Sequence, residues 1–169
     1  MKALLVDGYN LIYSHPELAL TVKKDSDAAR EGLLRELSSL ATPDRYSLVM
    51  VVFDAAASSQ AEPVFEERQG LTVVFTRRRQ SADAFIERLV RRLVPGNDVV
   101  VATSDRTLLD VVRGFGATTM NGLSLLDMTA EALDETREEM KRMARGGRAP
   151  LEDRVSEEVR RLLDEMRYS

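Results

Sequence analysis

Four runs of apolar, largely β-branched residues punctuate the chain: KALLV (2–6), SLVMVVF (47–53), LTVVF (71–75) and DVVVAT (98–103). None alternates polar with apolar, so each predicts a strand buried on both faces of a sheet. ATTM (117–120) is a shorter fifth candidate. Between these runs the apolar positions take up helical spacing, in DAAREGLLRELSSL (27–40), ADAFIERLVRRL (82–93) and DRTLLDVVRGF (105–115). The order β-α-β-β-α-β-α-β predicts a mostly parallel α/β sandwich. Residues 55–70, AAASSQAEPVFEERQG, read as a long loop with room for one short extra strand.

Beyond Gly122 the pattern changes. Leu123, Leu126, Ala130, Leu133, Met140 and Met143 recur at helical spacing amid many charges. RGGRAP (145–150) breaks this pattern, and residues 151–167 resume it through Leu151, Val155, Val159, Leu162 and Met166. The expected organisation is a core domain over 1–122 and a charged helical extension over 123–169, packed on the core or on a partner.

Composition narrows the chemistry. At 169 residues and 44% hydrophobic, the chain can bury one core. No apolar run is long enough to span a bilayer, and the N-terminal stretch meets Asp7 too early for a secretion signal, so a cytoplasmic protein with no membrane partner is expected. The absence of Cys excludes disulfides, zinc–thiolate sites and thiol nucleophiles. With His15 as the single histidine, triads and His-rich metal sites are disfavoured, leaving carboxylates and a hard, oxygen-preferring ion. A net charge of −4 argues that any nucleic-acid contact is local rather than spread over the surface.

Four acids fall at equivalent places. Asp7 follows the first strand, Asp54 the second and Asp105 the fourth, while Asp83 opens the helix after LTVVF. In a parallel sheet these ends lie along one edge, where open α/β folds bind ligands. Gathered there, the acids repel one another unless a divalent cation joins them, and carboxylate-held divalent ions cleave or transfer phosphoryl groups. Each acid also has a plainer role. Asp105 and Asp83, with Ser81, are good cap or first-turn residues, and Asp54 suits an Asx-turn. Glu87 shares a face with Asp83 or pairs with Arg91. Asp7 has no evident capping role.

The neighbours supply further candidates. Gly8 suits a sharp turn, Asn10 can orient an acid, a water or a phosphate, and Thr103 or Ser104 can hold a phosphate or cap the next helix. Arg77, Arg78 and Arg79 stand in the loop before Asp83, either gripping phosphates or simply solvated. Arg88, Arg91 and Arg92 are expected on an exposed helix face. Arg142, Arg145 and Arg148 form a second basic patch suited to RNA or a ribonucleoprotein. Tyr9 and Tyr13 flank the edge and offer rings to a base, with Tyr13 assigned to the core. His15, before Pro16, reads as a loop residue without a chemical role.

In their order, LLVDGYNLI, VVFDA, the SADAFIE segment after LTVVFTRRR, and VATSDRTLL resemble the NYN branch of the PIN-like nucleases, and within it the bacterial YacP-like family. The resemblance runs from residue 1 to about residue 122. It implies a PIN-like three-layer α/β/α sandwich and an endoribonuclease that uses Mg²⁺ or Mn²⁺. It also implies metal-binding roles for Asp7, Asp54, Asp83 and Asp105, and catalytic roles for Asp7, Asn10, Asp83 and Asp105. Beside the resemblance, the positions of Arg77, Arg78, Arg79, Tyr9 and Ser104 make them the expected RNA contacts. The family's association with mRNA cleavage on translating ribosomes implies mRNA and the ribosome as partners. SAD in place of TAD and the arginine-rich loop depart from the family pattern and bear on substrate preference. Two rivals stand beside this reading. A receiver-like signalling domain needs adjacent acids after the first strand and a late lysine, whereas Asp7 adjoins Gly8 and the lysines are Lys2, Lys23, Lys24 and Lys141. A non-catalytic RNA- or ribosome-binding module would not need all four acids.

Overall fold

The structure is a computed structural model that describes residues 1–55, 61–144 and 157–167. The RGGRAP break, Arg145 and Arg148 of the basic patch, and Leu151 and Val155 of the last helical pattern lie outside the described residues.

The apolar runs form strands close to their expected limits: β1 (Lys2–Asp7), β2 (Leu48–Phe53), β4 (Leu71–Phe75) and β5 (Asp98–Ala102), with β6 (Thr118–Met120) in the ATTM segment. The loop expected over 55–70 contains β3 (Val64–Arg68). The sheet order is β3-β4-β2-β1-β5-β6, with all neighbours parallel except the antiparallel β3–β4 pair at one edge. That reversal follows from a two-residue turn in which Gln69 (φ 55°) and Gly70 (φ 76°) both take left-handed backbone, the signature of a type I′ hairpin.

Side chains of successive strand residues enter opposite cores. Leu5, Met50, Val52 and Val101 pack under α4 (Ala82–Leu93) and α5 (Arg106–Gly114). Leu4, Val6, Val51 and Phe53 pack under α1 (Gly8–Ser14), α2 (Pro16–Thr21) and α3 (Ser26–Leu37). Both faces of the sheet are therefore covered, the three-layer α/β/α arrangement that uninterrupted apolar strands require.

The expected boundary after Gly122 falls one residue into α6 (Gly122–Ala144), and residues beyond it contribute to both cores. Leu125 and Ala132 of α6 join the α1–α3 side. Leu163 and Met166 of α7 (Glu157–Arg167) join the α4–α5 side. The described residues contain no helix long and apolar enough to cross a membrane.

Helices α1 and α2 were not expected from the apolar pattern, being only seven and six residues long. Their starts are nonetheless encoded. Asp7 caps α1, and His15 caps α2 by accepting from the Glu17 and Leu18 N–H groups through Nδ1, with Pro16 at the first helical position. His15 is thus a capping residue, and its Nε2 lies 3.3 Å from Glu36.

Candidate active site

Right-handed parallel winding brings the carboxyl ends of β1, β2, β4 and β5 to one edge. Asp7 is the last residue of β1, opposite Val52 of β2, and is only 8% exposed. Contrary to the sequence reading, it has a capping role: one carboxylate oxygen accepts the Asn10 N–H at 3.2 Å and starts α1 within a residue of the strand's end. Asp105 does the same for α5, accepting from the Thr107 and Leu108 N–H groups at 2.8 and 3.3 Å through one oxygen. Each of these acids thereby holds a helix with one oxygen and leaves the other for the cluster.

Asp83 lies between them. Ser81 caps α4 through the Ala84 N–H, so the Asp83 side chain in the first turn is not needed as a cap. Its carboxyl is within hydrogen-bonding range of both Asp7 and Asp105, and Asp54 is close enough to add repulsion. Glu87 pairs instead with Arg91 at 3.1 Å, the alternative recognised for it in the sequence.

The electrostatics follow from this crowding. The Asp7 carboxyl is pushed up to about 6, chiefly by burial and further by the Asp83 and Asp105 charges, against the pull of the Asn10 N–H. Asp83 is also raised, first by burial and then by Asp105, while its bond with Asp7 acts in the opposite sense. Among the described residues none of the four acids is ion-paired with Lys or Arg. Among the described residues there is also no ready-made cage of three or more His, Cys, Asp or Glu side chains around one point. The donor set still fits a hard divalent cation by its chemistry: it is oxygen-only, negatively charged and uncompensated. Mg²⁺ in particular keeps several waters and takes only one or two carboxylates directly.

Gly8 serves space rather than a turn. Its backbone is not left-handed, but a Cβ there would come within 2.3 Å of the Phe53 ring. The fully buried Phe53 therefore sets how closely α1 follows β1, and so where Asp7 and Asn10 sit. Gly8→Ala is expected to cost about 1–3 kcal/mol by overpacking, read as a lower urea midpoint at unchanged slope. Unchanged stability would show that the ring does not fix this approach.

Asn10 is a clamp as well as a polar group at the edge. Its Oδ1 accepts the Ser104 N–H at 2.7 Å, joining α1 to the β5–α5 turn, while Ser14 Oγ donates to the Asn10 carbonyl and lies 3.4 Å from Ser104 Oγ. Ser104 is exposed beside the cluster and does not cap α5, which Asp105 does. The two tyrosines exchange their expected places. Half-buried Tyr9 packs edge-on against Phe53 at 5.2 Å and accepts a hydrogen bond from Arg30 at 2.6 Å, which fixes its ring. Tyr13, assigned to the core from sequence, is 64% exposed because Leu11 and Ile12 take the buried face of α1. In the 76–80 loop Arg78 and Arg79 are exposed, Arg77 is half-buried, and Arg79 takes left-handed backbone (φ 63°).

Two supporting residues had no distinct signal in the sequence. Buried Thr76 donates its N–H to the Phe53 carbonyl and accepts the Ala55 N–H on Oγ1, bracketing Asp54. Arg30, on α3, stacks over Phe53 and Phe75 at 5.9 and 5.6 Å and reaches the site only through the tertiary fold.

The YacP-like NYN domain model matches residues 4–168. The chain belongs to the YacP-like NYN domain family. Members of this family are typically nucleases. The chain is 33% identical over 129 residues to the Bacillus subtilis (strain 168) protein YacP, covering 75% of this chain and 74% of that one. It also superposes on a crystal structure of Rae1 (YacP) from Bacillus subtilis with a TM-score of 0.70 at 28% identity, over 85% of this chain and 82% of the other. A single-substitution variant of that protein gives a TM-score of 0.69 at 26% identity, over 98% and 92%. The fold is PIN-like, and the family match runs through α6 and α7 as well as the sheet.

Proposed function

We propose that the protein is a divalent-metal-dependent endoribonuclease acting in the cytoplasm, with Asp7, Asp83 and Asp105 as the principal acids and Asp54 in support. The observation that supports this reading is Asp83 within hydrogen-bonding range of both Asp7 and Asp105, with Asp7 buried and raised to about 6 and no cation of the protein beside them among the described residues.

Asp7, Asp83 and Asp105 would hold Mg²⁺ or Mn²⁺, with Asp54 contributing directly or through water. What the bound ion supplies is a lower pKa for the attacking water and neutralisation of the charge that builds on the phosphate. The chain's own groups do the positioning. Asn10, fixed through the Ser104 N–H, keeps the β1 and β5 ends in register. Arg78 and Arg79 offer guanidinium forks to flanking phosphates. Exposed Tyr13, one turn beyond Tyr9 on α1, replaces Tyr9 as the platform for an unpaired base. The substrate proposed is mRNA in a ribosome-associated setting, consistent with an acidic chain that is brought to RNA by a partner rather than by bulk charge.

The test incubates the full chain and Asp83→Asn with labelled single-stranded RNA and with translating ribosomes, each with Mn²⁺ and with chelator. Internal RNA fragments that require both Mn²⁺ and Asp83 are expected. Cleavage indifferent to chelator or to Asp83, or none on either substrate, would overturn the proposal.

A further inference from the structure

Helix α4 presents two rows of arginine with different surroundings. On one row Arg91 pairs with Glu87 and stacks over Phe115 at 4.5 Å. On the other, Arg88 and Arg92 are four residues apart and so share a face. Arg88 stacks over Phe85 at 5.7 Å, Phe85 lies 6.1 Å from Phe65, and Arg167 of α7 stacks over Phe65 at 5.5 Å. Arg77, in the loop at the head of α4, is near enough to Arg88 to repel it, as is Arg92.

Among the described residues none of Arg77, Arg88, Arg92 and Arg167 has a carboxylate partner, although the chain carries 28 acidic against 24 basic residues. Arg30, Arg45, Arg68, Arg113 and Arg137 have acidic partners, whereas exposed arginines such as Arg35 and Arg106 have none among the described residues, so what distinguishes this group is that Arg77 and Arg92 both stand close to Arg88. Arg88 is also not on the exposed face expected from sequence. It is half-buried, and its Nε is enclosed with no hydrogen-bond partner. Only Nε is enclosed in this way, and a phosphate oxygen is the acceptor that suits the outer N–H groups of the guanidinium. Stacking on the two phenylalanine rings holds guanidinium planes while leaving their N–H edges free.

We propose that Arg88 and Arg92, with Arg77 at the head and Arg167 across from them, form a phosphate track that binds the RNA backbone as the strand leaves the acidic cluster along α4. This rests on the nuclease reading of that cluster and adds the direction in which the strand runs. At about 1.5 Å per residue, Arg88 and Arg92 lie about 7.5 and about 13.5 Å beyond Asp83 along the helix axis, so the track engages nucleotides next to the cut rather than the cut itself. Burial and the neighbouring guanidiniums lower the hold of Arg88 on its proton, which is the direction a polyanion would reverse.

The test compares the full chain with R88Q/R92Q and with R88K/R92K, which keeps the charge. Binding is measured in the Asp83→Asn background, over a range of salt, on single-stranded RNAs of about 6 and about 20 nucleotides. R88Q/R92Q is expected to bind both RNAs more weakly, the long one tenfold or more, with a salt slope smaller by about 1.4. R88K/R92K should retain the slope. Unchanged affinity and slope for the long RNA would overturn the track, as would a loss confined to an acidic peptide competitor, which would mark a protein-docking face. Mn²⁺-dependent cleavage of short RNA by R88Q/R92Q separates the two claims. Its persistence with a failed track removes only the track, whereas a wild-type chain that neither binds nor cleaves RNA removes both.

Discussion

Asp7→Asn is expected to raise the stability of the protein at pH 7.5 in chelating buffer. The Asp7 carboxyl is raised from 3.8 to about 6 in the folded chain, so the folded state holds a proton that the unfolded state has already released. The favourable contribution is complete below about pH 4 and is lost as the pH rises through about 6, where the buried carboxylate must ionise beside Asp83 and Asp105. At about 1.4 kcal/mol for each pH unit, the loss at neutral pH is on the order of 3 kcal/mol. Asn keeps an oxygen to accept the Asn10 N–H, so the α1 cap survives the substitution. Urea unfolding of both proteins from pH 4 to pH 8 checks this: the variant's advantage should be present at pH 7.5 and vanish near pH 4. A variant that is less stable at pH 7.5 would show that Asp7 serves the fold rather than a ligand. Saturating Mn²⁺ should close the gap by stabilising the wild type alone.

The second large effect concerns activity. Asp83 contacts both Asp7 and Asp105, and it caps no helix, so Asp83→Asn removes charge from the centre of the cluster without loosening α4. Losing a group that anchors a charge-neutralising ion removes several kcal/mol from transition-state stabilisation, a fall of about a thousandfold in the rate of RNA cleavage. The checking measurement is single-turnover cleavage with excess protein, so that weakened binding and slowed chemistry separate. A rate within about tenfold of wild type would place the chemistry elsewhere. Asp83→Asn should also shift unfolding in the same direction as Asp7→Asn, because its carboxyl is raised for the same reasons.

The fold was legible where burial alone decides structure. Strands covered on both faces must be apolar throughout, so LLV, VVF and VVVA announced β1, β2 and β5 directly. For β3 the sequence allowed a short strand somewhere in 55–70 but not its limits, because it lies at the sheet edge and its burial is partial along VFEER. Helix α4 was read at its observed limits since six of its residues face the core, whereas α1 and α2 are too short to display a period. The acids were legible as a set because parallel topology leaves little choice about which edge they share. Their individual geometry was not. That Asp7 both caps α1 and belongs to the cluster depends on α1 starting at Gly8, which in turn depends on the Phe53 ring 45 residues away. The same long-range packing decided that Tyr9 lies on Phe53 under Arg30 and that Tyr13 faces outward. Arg88 was misplaced because helical spacing gives its row but not its stacking over the Phe85 ring.

We propose one cluster of acids, distant in sequence, whose charge a divalent cation relieves. Its most direct measurement is calorimetric titration of the full chain with Mn²⁺ at pH 6 and pH 8, beside Asp7→Asn and Asp83→Asn. Saturable binding by the wild type, proton release at pH 6 that disappears at pH 8, and marked weakening in both variants are expected. Equal Mn²⁺ affinity in all three proteins, or no binding by the wild type, would contradict it.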